Sequence, residues 1–112
     1  MKKTLVLAIM ILMIGVVAYA SEGMGISITP NPFKATTSIQ IYLPEDASIN
    51  LAIENNKEEV LAVLFTGELA AGFHSFTWNG SGEDGNRLAP GRYWVHLQGA
   101  RFTSIKRVII LK

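Results

Sequence analysis

His74, Ser75 and Asp84 are the residues that most invite a chemical reading. A base, a nucleophile and an acid would suit acyl transfer if the fold brought them together. Their context argues against it. His74 and Ser75 are neighbours in the alternating stretch "FHSFTW", and no sharp turn presents the serine. His96 sits in a similar stretch, "YWVHLQ". Both histidines read as ordinary strand residues, so no catalytic residue is assigned and no enzyme is expected. Glu83, Asp84 and Asn86 offer oxygen atoms of the kind calcium takes. They lack the spaced acids and closing bidentate Glu of an EF-hand loop. Asp84-Gly85 is also a common turn dipeptide, because glycine takes positive φ without steric cost. No metal and no cofactor is expected. Asn79-Gly80-Ser81 matches the N-glycosylation sequon and equally reads as a turn. Phe76, Trp78, Tyr93 and Trp94 could line a carbohydrate platform. Trp78 and Tyr93 fit a core better, since aromatics bury the most surface. Trp94 points to the opposite face from Tyr93 and is expected to be partly exposed.

The elements that must position these residues have a period of two. Ile39, Ile41 and Leu43 alternate with polar positions, as do Ile49, Leu51 and Ile53. Turn signals close each stretch: "LPEDAS" after the first and "NNKE" after the second. Asn55-Asn56 suits a tight hairpin, since Asn tolerates positive φ. Val60 to Phe65 is continuously apolar and reads as a strand buried on both faces. A two-turn helix over Glu58 to Leu64 is the competing reading. Phe73 to Trp78, Arg92 to Gln98 and Thr103 to Leu111 complete the alternating set, around an irregular loop from Asn79 to Gly91. About seven short strands result, with no helix in the domain. The expected fold is all-β: an antiparallel two-sheet sandwich of immunoglobulin type.

The 112 residues suffice for one domain, and they include no cysteine. The first 20 residues read as a signal-peptide helix. Lys2 and Lys3 precede an apolar run from Leu5 to Val17, and Ala18-Tyr19-Ala20 supplies a small-residue cleavage site. That run is short for a membrane span, which needs about 20 apolar residues. The chain is therefore expected to be exported, meeting a membrane only through this segment, to the periplasm, the cell surface or the medium. Residues 21–27 form a linker or the start of the first strand, and 28–112 the domain. Removing Lys2 and Lys3 leaves eight bases against nine acids. Only Arg101, Lys106 and Arg107 approach a basic cluster, so no nucleic-acid partner is expected.

The motifs also stand in a familiar order. "PNPF" precedes "TTSIQIYLPEDASINLAI"; "GELAAGFHSFTWNG", "DGNRLAPGRYWVHL" and a terminal "RVIILK" follow. This order resembles the immunoglobulin-like domain family of the flagellar hook-capping protein and of the type IX secretion C-terminal sorting domains. Pro30, Asn31, Pro32 and Phe33 match its opening motif, and Leu43-Pro44 the end of its next strand. Gly72, His74 and Trp78 match its middle strand. Asp84 and Gly85 belong to the family motif ahead of its G-x-Y element, which Gly91 and Tyr93 match; Lys112 matches its terminal basic residue. Two positions depart. Glu58 stands where the family's D-x-x-G turn has glycine, and Asn79 where an aspartate follows the tryptophan. Sorting domains also sit behind a large cargo, whereas here the signal-peptide pattern leads almost directly into the domain.

The resemblance implies an address or anchor without catalysis, acting by protein–protein recognition. It places the recognised strands at Tyr93 to Lys112, with Gly91, Tyr93, Lys106, Arg107 and Lys112 as recognition residues and outer-membrane translocon components as partners. Alternatives are a stand-alone assembly module like the hook-cap domain, or a carbohydrate-binding module using Trp94. Physically, Ser104 to Leu111 offers an edge for strand addition, with Lys106, Arg107 and Lys112 as gatekeepers. Pro30 and Pro32 are expected to blunt the first strand, itself an edge, while Phe33 turns inward.

Overall fold

A computed structural model describes residues 25–112. The signal-peptide pattern lies outside the described residues. Seven strands follow one another without a helix among the described residues: β1 Ile26–Thr29, β2 Thr37–Leu43, β3 Ala47–Glu54, β4 Val60–Leu69, β5 Gly72–Trp78, β6 Gly91–Gly99 and β7 Thr103–Ile110. Strand β1 starts inside the stretch read as linker or first strand. All pairings between strands are antiparallel. One sheet has the order β1-β2-β5 and the other β4-β3-β6-β7. The expected immunoglobulin-like sandwich is the observed fold.

The period-two pattern decides which side chains meet between the sheets. Ile39, Ile41 and Leu43 from β2 face Leu51 and Ile53 from β3, Val95 and Leu97 from β6, and Val108 and Ile110 from β7; all are essentially inaccessible to solvent. Phe33 and Trp78 close one end of this core, their ring centroids 5.5 Å apart. The Trp78 Nε1–H donates to the Ser81 carbonyl at 3.0 Å, so its one polar atom is satisfied inside the core.

The apolar run Val60 to Phe65 departs from expectation. It is a strand, not a helix, but it is not buried on both faces. Val60 and Val63 are 53% and 47% exposed; Ala62 is buried, and the half-buried Leu64 and Phe65 pack against the core. The reason is topological: β4 pairs only with β3 and forms an edge. Register shifts at Leu51/Ala52 and Ile53/Glu54 also break its alternation. An apolar run alone does not distinguish a central strand from an edge strand with two register breaks.

The β3–β4 turn settles the first departure from the family pattern. Glu58 has φ 64°, the sole positive φ at a non-glycine residue among the described residues. The turn keeps the left-handed conformation that glycine would adopt most easily. Asn55 supports it: its side-chain oxygen accepts the Lys57 and Glu59 N–H groups, and its amide donates to the Glu59 carboxylate at 2.9 Å.

Candidate interaction surface

The recognition residues proposed from sequence fall into two groups. Gly91 and Tyr93 are built into the frame. Gly91 begins β6 opposite Ile110, and the half-buried Tyr93 donates its hydroxyl to the Ala89 carbonyl at 2.6 Å. A tyrosine near the start of a strand, bonded to backbone just upstream, resembles the corner that pins many immunoglobulin-type sandwiches. Lys106, Arg107 and Lys112 are exposed. Lys106 pairs with the buried Val95, so its side chain starts on the inward face of β7 and leaves at the margin. An inward-pointing charge of this kind discourages edge-to-edge pairing.

Strand β7 is indeed an edge, but part of it is closed. The Phe33 N–H donates to the Ile109 carbonyl at 3.0 Å, and the Leu111 N–H donates to the Phe33 carbonyl at 2.7 Å. The Asn31 side-chain oxygen accepts the Ile109 N–H at 3.0 Å, and its amide donates to the Arg107 carbonyl at 2.9 Å. Outward-facing backbone groups alternate along an edge strand. Those of residues 107, 109 and 111 therefore meet the Asn31–Phe33 segment. Thr103 and Ile105 face no such partner among the described residues. Among the described residues, the open part of the edge runs from Thr103 to the Arg107 N–H.

This corrects the role given to the opening motif. Pro30 and Pro32 lie beyond β1, in the connection to β2, and do not blunt the first strand. The connection crosses to the other sheet and seals β7. Three contacts hold it there. Phe33 is buried at 1% exposure, as expected of an inward plug. The buried Thr37 hydroxyl donates to the Pro30 carbonyl at 2.6 Å. Arg87, far along the β5–β6 loop, donates to the Lys34 and Ala35 carbonyls and lies 5.8 Å from the Phe33 ring. Arg87 also donates to the Asn79 carbonyl at 2.7 Å. Gly80 makes room for it: φ is 81°, and an added Cβ would come within 3.2 Å of the guanidinium. No local pattern announces Arg87; its partners in the opening segment lie more than fifty residues away in sequence.

The opposite edge, β4, has its own closure. The Glu83 N–H donates to the Leu61 carbonyl at 2.9 Å, and the Val63 N–H donates to the Glu83 carboxylate at 2.6 Å. Glu83 thus stands where a further strand would begin. Beyond it, β4 carries the exposed Thr66 and Glu68.

Between these edges, the outer face of the four-stranded sheet carries a polar bridge amid apolar side chains. His96 Nδ1 meets the Glu54 carboxylate at 2.6 Å, and Nε2 meets the Thr103 hydroxyl at 2.7 Å. Trp94, half-buried as expected, lies between Glu54 and Arg107 on the neighbouring strands. Val60, Val63 and Ile105 are the exposed apolar residues of the same face.

The remaining candidates have structural partners. His74 bonds through Nε2 to the Ala70 carbonyl at 2.7 Å. Ser75, its neighbour on the strand, points to the other face, so the sketched triad is not brought together. Both Asp84 oxygens accept from Asn86, and the Gly85 N–H donates to the Gly82 carbonyl: a turn, with Gly85 at φ 82°. No group of three metal-binding side chains occurs among the described residues. The spelling G-x-G-x-x-G does occur, at Gly80, Gly82 and Gly85. It precedes a strand rather than a helix, so it lacks the helix N-terminus a dinucleotide phosphate needs. Asn79 of the sequon accepts the Ser81 N–H in the same loop. Leu43 ends β2 in the core, Pro44 breaks the strand, and Gly72 starts β5 opposite Leu43 with φ 116°.

Comparison with known proteins agrees with this geometry. The family model described as "FlgD Ig-like domain" matches residues 27–101, ending just before β7. Among solved structures, dimeric latent PorU from Porphyromonas gingivalis aligns with TM-score 0.59 at 12% identity, over 77% of this chain and 9% of PorU. FlgD from P. aeruginosa aligns with TM-score 0.51 at 26% identity, over 66% of this chain and 57% of that one. FlgD from Xanthomonas campestris, reported for its hook capping in flagellar assembly, aligns with TM-score 0.52 at 19% identity, over 84% and 72%. The chain thus spans a small part of PorU and little more than half of the P. aeruginosa protein. No curated protein matches it.

Proposed function

The chain belongs to the FlgD Ig-like domain family, and we propose that it is an exported, non-catalytic module that works by protein–protein recognition. Its finer role in this reading is that of a type IX sorting domain, recognised through its last two strands by outer-membrane translocon components. The observation that carries the reading is the incomplete closure of β7. Asn31 and Phe33 seal the edge from the Arg107 carbonyl to Leu111, while among the described residues the backbone from Thr103 to the Arg107 N–H stays free beside the exposed Ile105. Strand addition to such an edge gains main-chain hydrogen bonds and takes specificity from the flanking side chains. Lys106, Arg107 and Lys112 are those flanking groups, and Gly91 and Tyr93 set the frame behind them. The motif order supports the same role.

The test is a fusion of residues 21–112 behind a reporter in a host with a type IX pathway. The expected result is reporter at the surface or in the medium. Reporter held in the periplasm sinks the sorting role.

The second reading is an assembly module, favoured by the likeness to two FlgD structures. It needs a stable partner and no translocation. A pull-down from periplasmic extract that recovers one dominant subunit, together with failure of the fusion test, would select it.

A further inference from the structure

The four-stranded sheet is electrically polarised, in a way neither role above requires. No acidic residue follows Asp84, whereas Arg87, Arg92, Arg101, Lys106, Arg107 and Lys112 all do. Lys106 and Arg107 are exposed on the β7 edge, and no acidic side chain pairs with either among the described residues, where the one contact between a basic and an acidic side chain is His96–Glu54 on the outer face of the sheet. The β4 edge has the opposite sign. Glu58 and Glu59 lead into it, Glu68 lies within it and Glu83 rests against it, all exposed. Each edge also keeps an unsealed stretch among the described residues: Thr103 to the Arg107 N–H on β7, and the part of β4 beyond Val63.

We propose that the chain self-associates head to tail, the basic β7 edge of one copy adding to the acidic β4 edge of the next. The charges choose the pairing. Two β7 edges would set Lys106 and Arg107 against the same residues of the other copy. Two β4 edges would set Glu68 against Glu68. Like charges across a strand pair are destabilising, and unlike charges stabilise it. The groups that forbid like edges from joining therefore leave the unlike pair open, which is specificity by repulsion as much as by attraction. The union also brings the partner strand beside Ile105, which is 53% exposed in the single chain. Because the two surfaces differ, the contact is heterologous and grows into open chains instead of closing as a two-fold dimer. A monomeric chain could still carry a sorting signal, so this inference and the sorting role fail separately.

The test is sedimentation velocity of the full chain, expressed and purified, across a concentration series at about 20 mM and about 0.5 M salt, conditions of weak and strong screening. Concentration-dependent association at low salt, weakened about tenfold or more at high salt, is expected. Two charge-reversed variants sharpen it: Lys106→Glu/Arg107→Glu on β7, and Glu58→Lys/Glu68→Lys on β4. These spare Glu59 and Glu83, which hold backbone and turn. Each variant alone is expected to be monomeric, and an equimolar mixture to associate again through the restored unlike edges. A wild-type chain that stays monomeric at low salt overturns the proposal. So do variants that associate alone, or a mixture of folded variants that does not. Circular dichroism identifies any variant that fails to fold, and the wild-type salt series then decides by itself.

Discussion

The two edges of the four-stranded sheet are closed by different means. On β7, the closing segment is part of the core: Asn31 and Phe33 bond the strand's backbone while the Phe33 ring packs on Trp78 under Arg87. On β4, one exposed residue of a surface loop, Glu83, does the work with its own N–H and its carboxylate. The difference teaches that sealing an edge and building a core can be one act or two. At β7, breaking the seal damages the interior. At β4, it is expected to expose a few backbone groups and little else.

The comparison can be broken most severely at Phe33. Phe33→Ala is expected to cost about 3–5 kcal/mol, the range for a buried aromatic, measured by urea unfolding. A loss below about 1 kcal/mol would place the β7 seal on the surface too. Asn31→Ala comes next, at about 1–2 kcal/mol, because it removes two exposed side-chain bonds to the β7 backbone. Amide exchange at Ile109 should quicken in that variant, while exchange at Val63 stays unchanged. Glu83→Ala is expected to cost about 0.5–1 kcal/mol, since alanine loses the one carboxylate bond to Val63 and keeps the backbone bond to Leu61. There the exchange result reverses: Val63 quickens and Ile109 does not. Equal costs for Asn31→Ala and Glu83→Ala would erase the distinction. The last effect, of similar size, is a gain. Glu58→Gly, in the turn leading into β4, should add about 0.5–1 kcal/mol by relieving a left-handed backbone at a residue with a Cβ.

Most of the frame was legible before any coordinates. The alternation of Ile39, Ile41 and Leu43, and of Ile49, Leu51 and Ile53, gave both strands and their buried faces, because one face of each must be apolar. Glu58 was legible as an anomaly and proved to hold the left-handed turn. What stayed hidden depends on neighbours distant in sequence. Val60 to Phe65 looked doubly buried because apolar content says nothing about how many strands lie alongside. The purpose of Asn31 was hidden because its partner is 78 residues away. Glu83 drew notice as a carboxylate that calcium might take; its actual partner is a backbone N–H of β4. Arg87 carried no signal at all. A lone arginine in a polar loop looks solvated until the Lys34 and Ala35 carbonyls are placed beneath it.

The span of the β7 seal also bears on the order in which the domain can form. A chain emerging from its N-terminus presents Asn31 and Phe33 early. Their partners, residues 107 to 111, come last. Until they arrive, the Phe33 plug has no backbone to bond, and β6 has no outer neighbour. Loop-closure entropy must be met across nearly the whole domain before these contacts reward it. The β7 seal therefore closes only once residues 107–111 are available, and a chain without them lacks the backbone partners of Asn31 and Phe33.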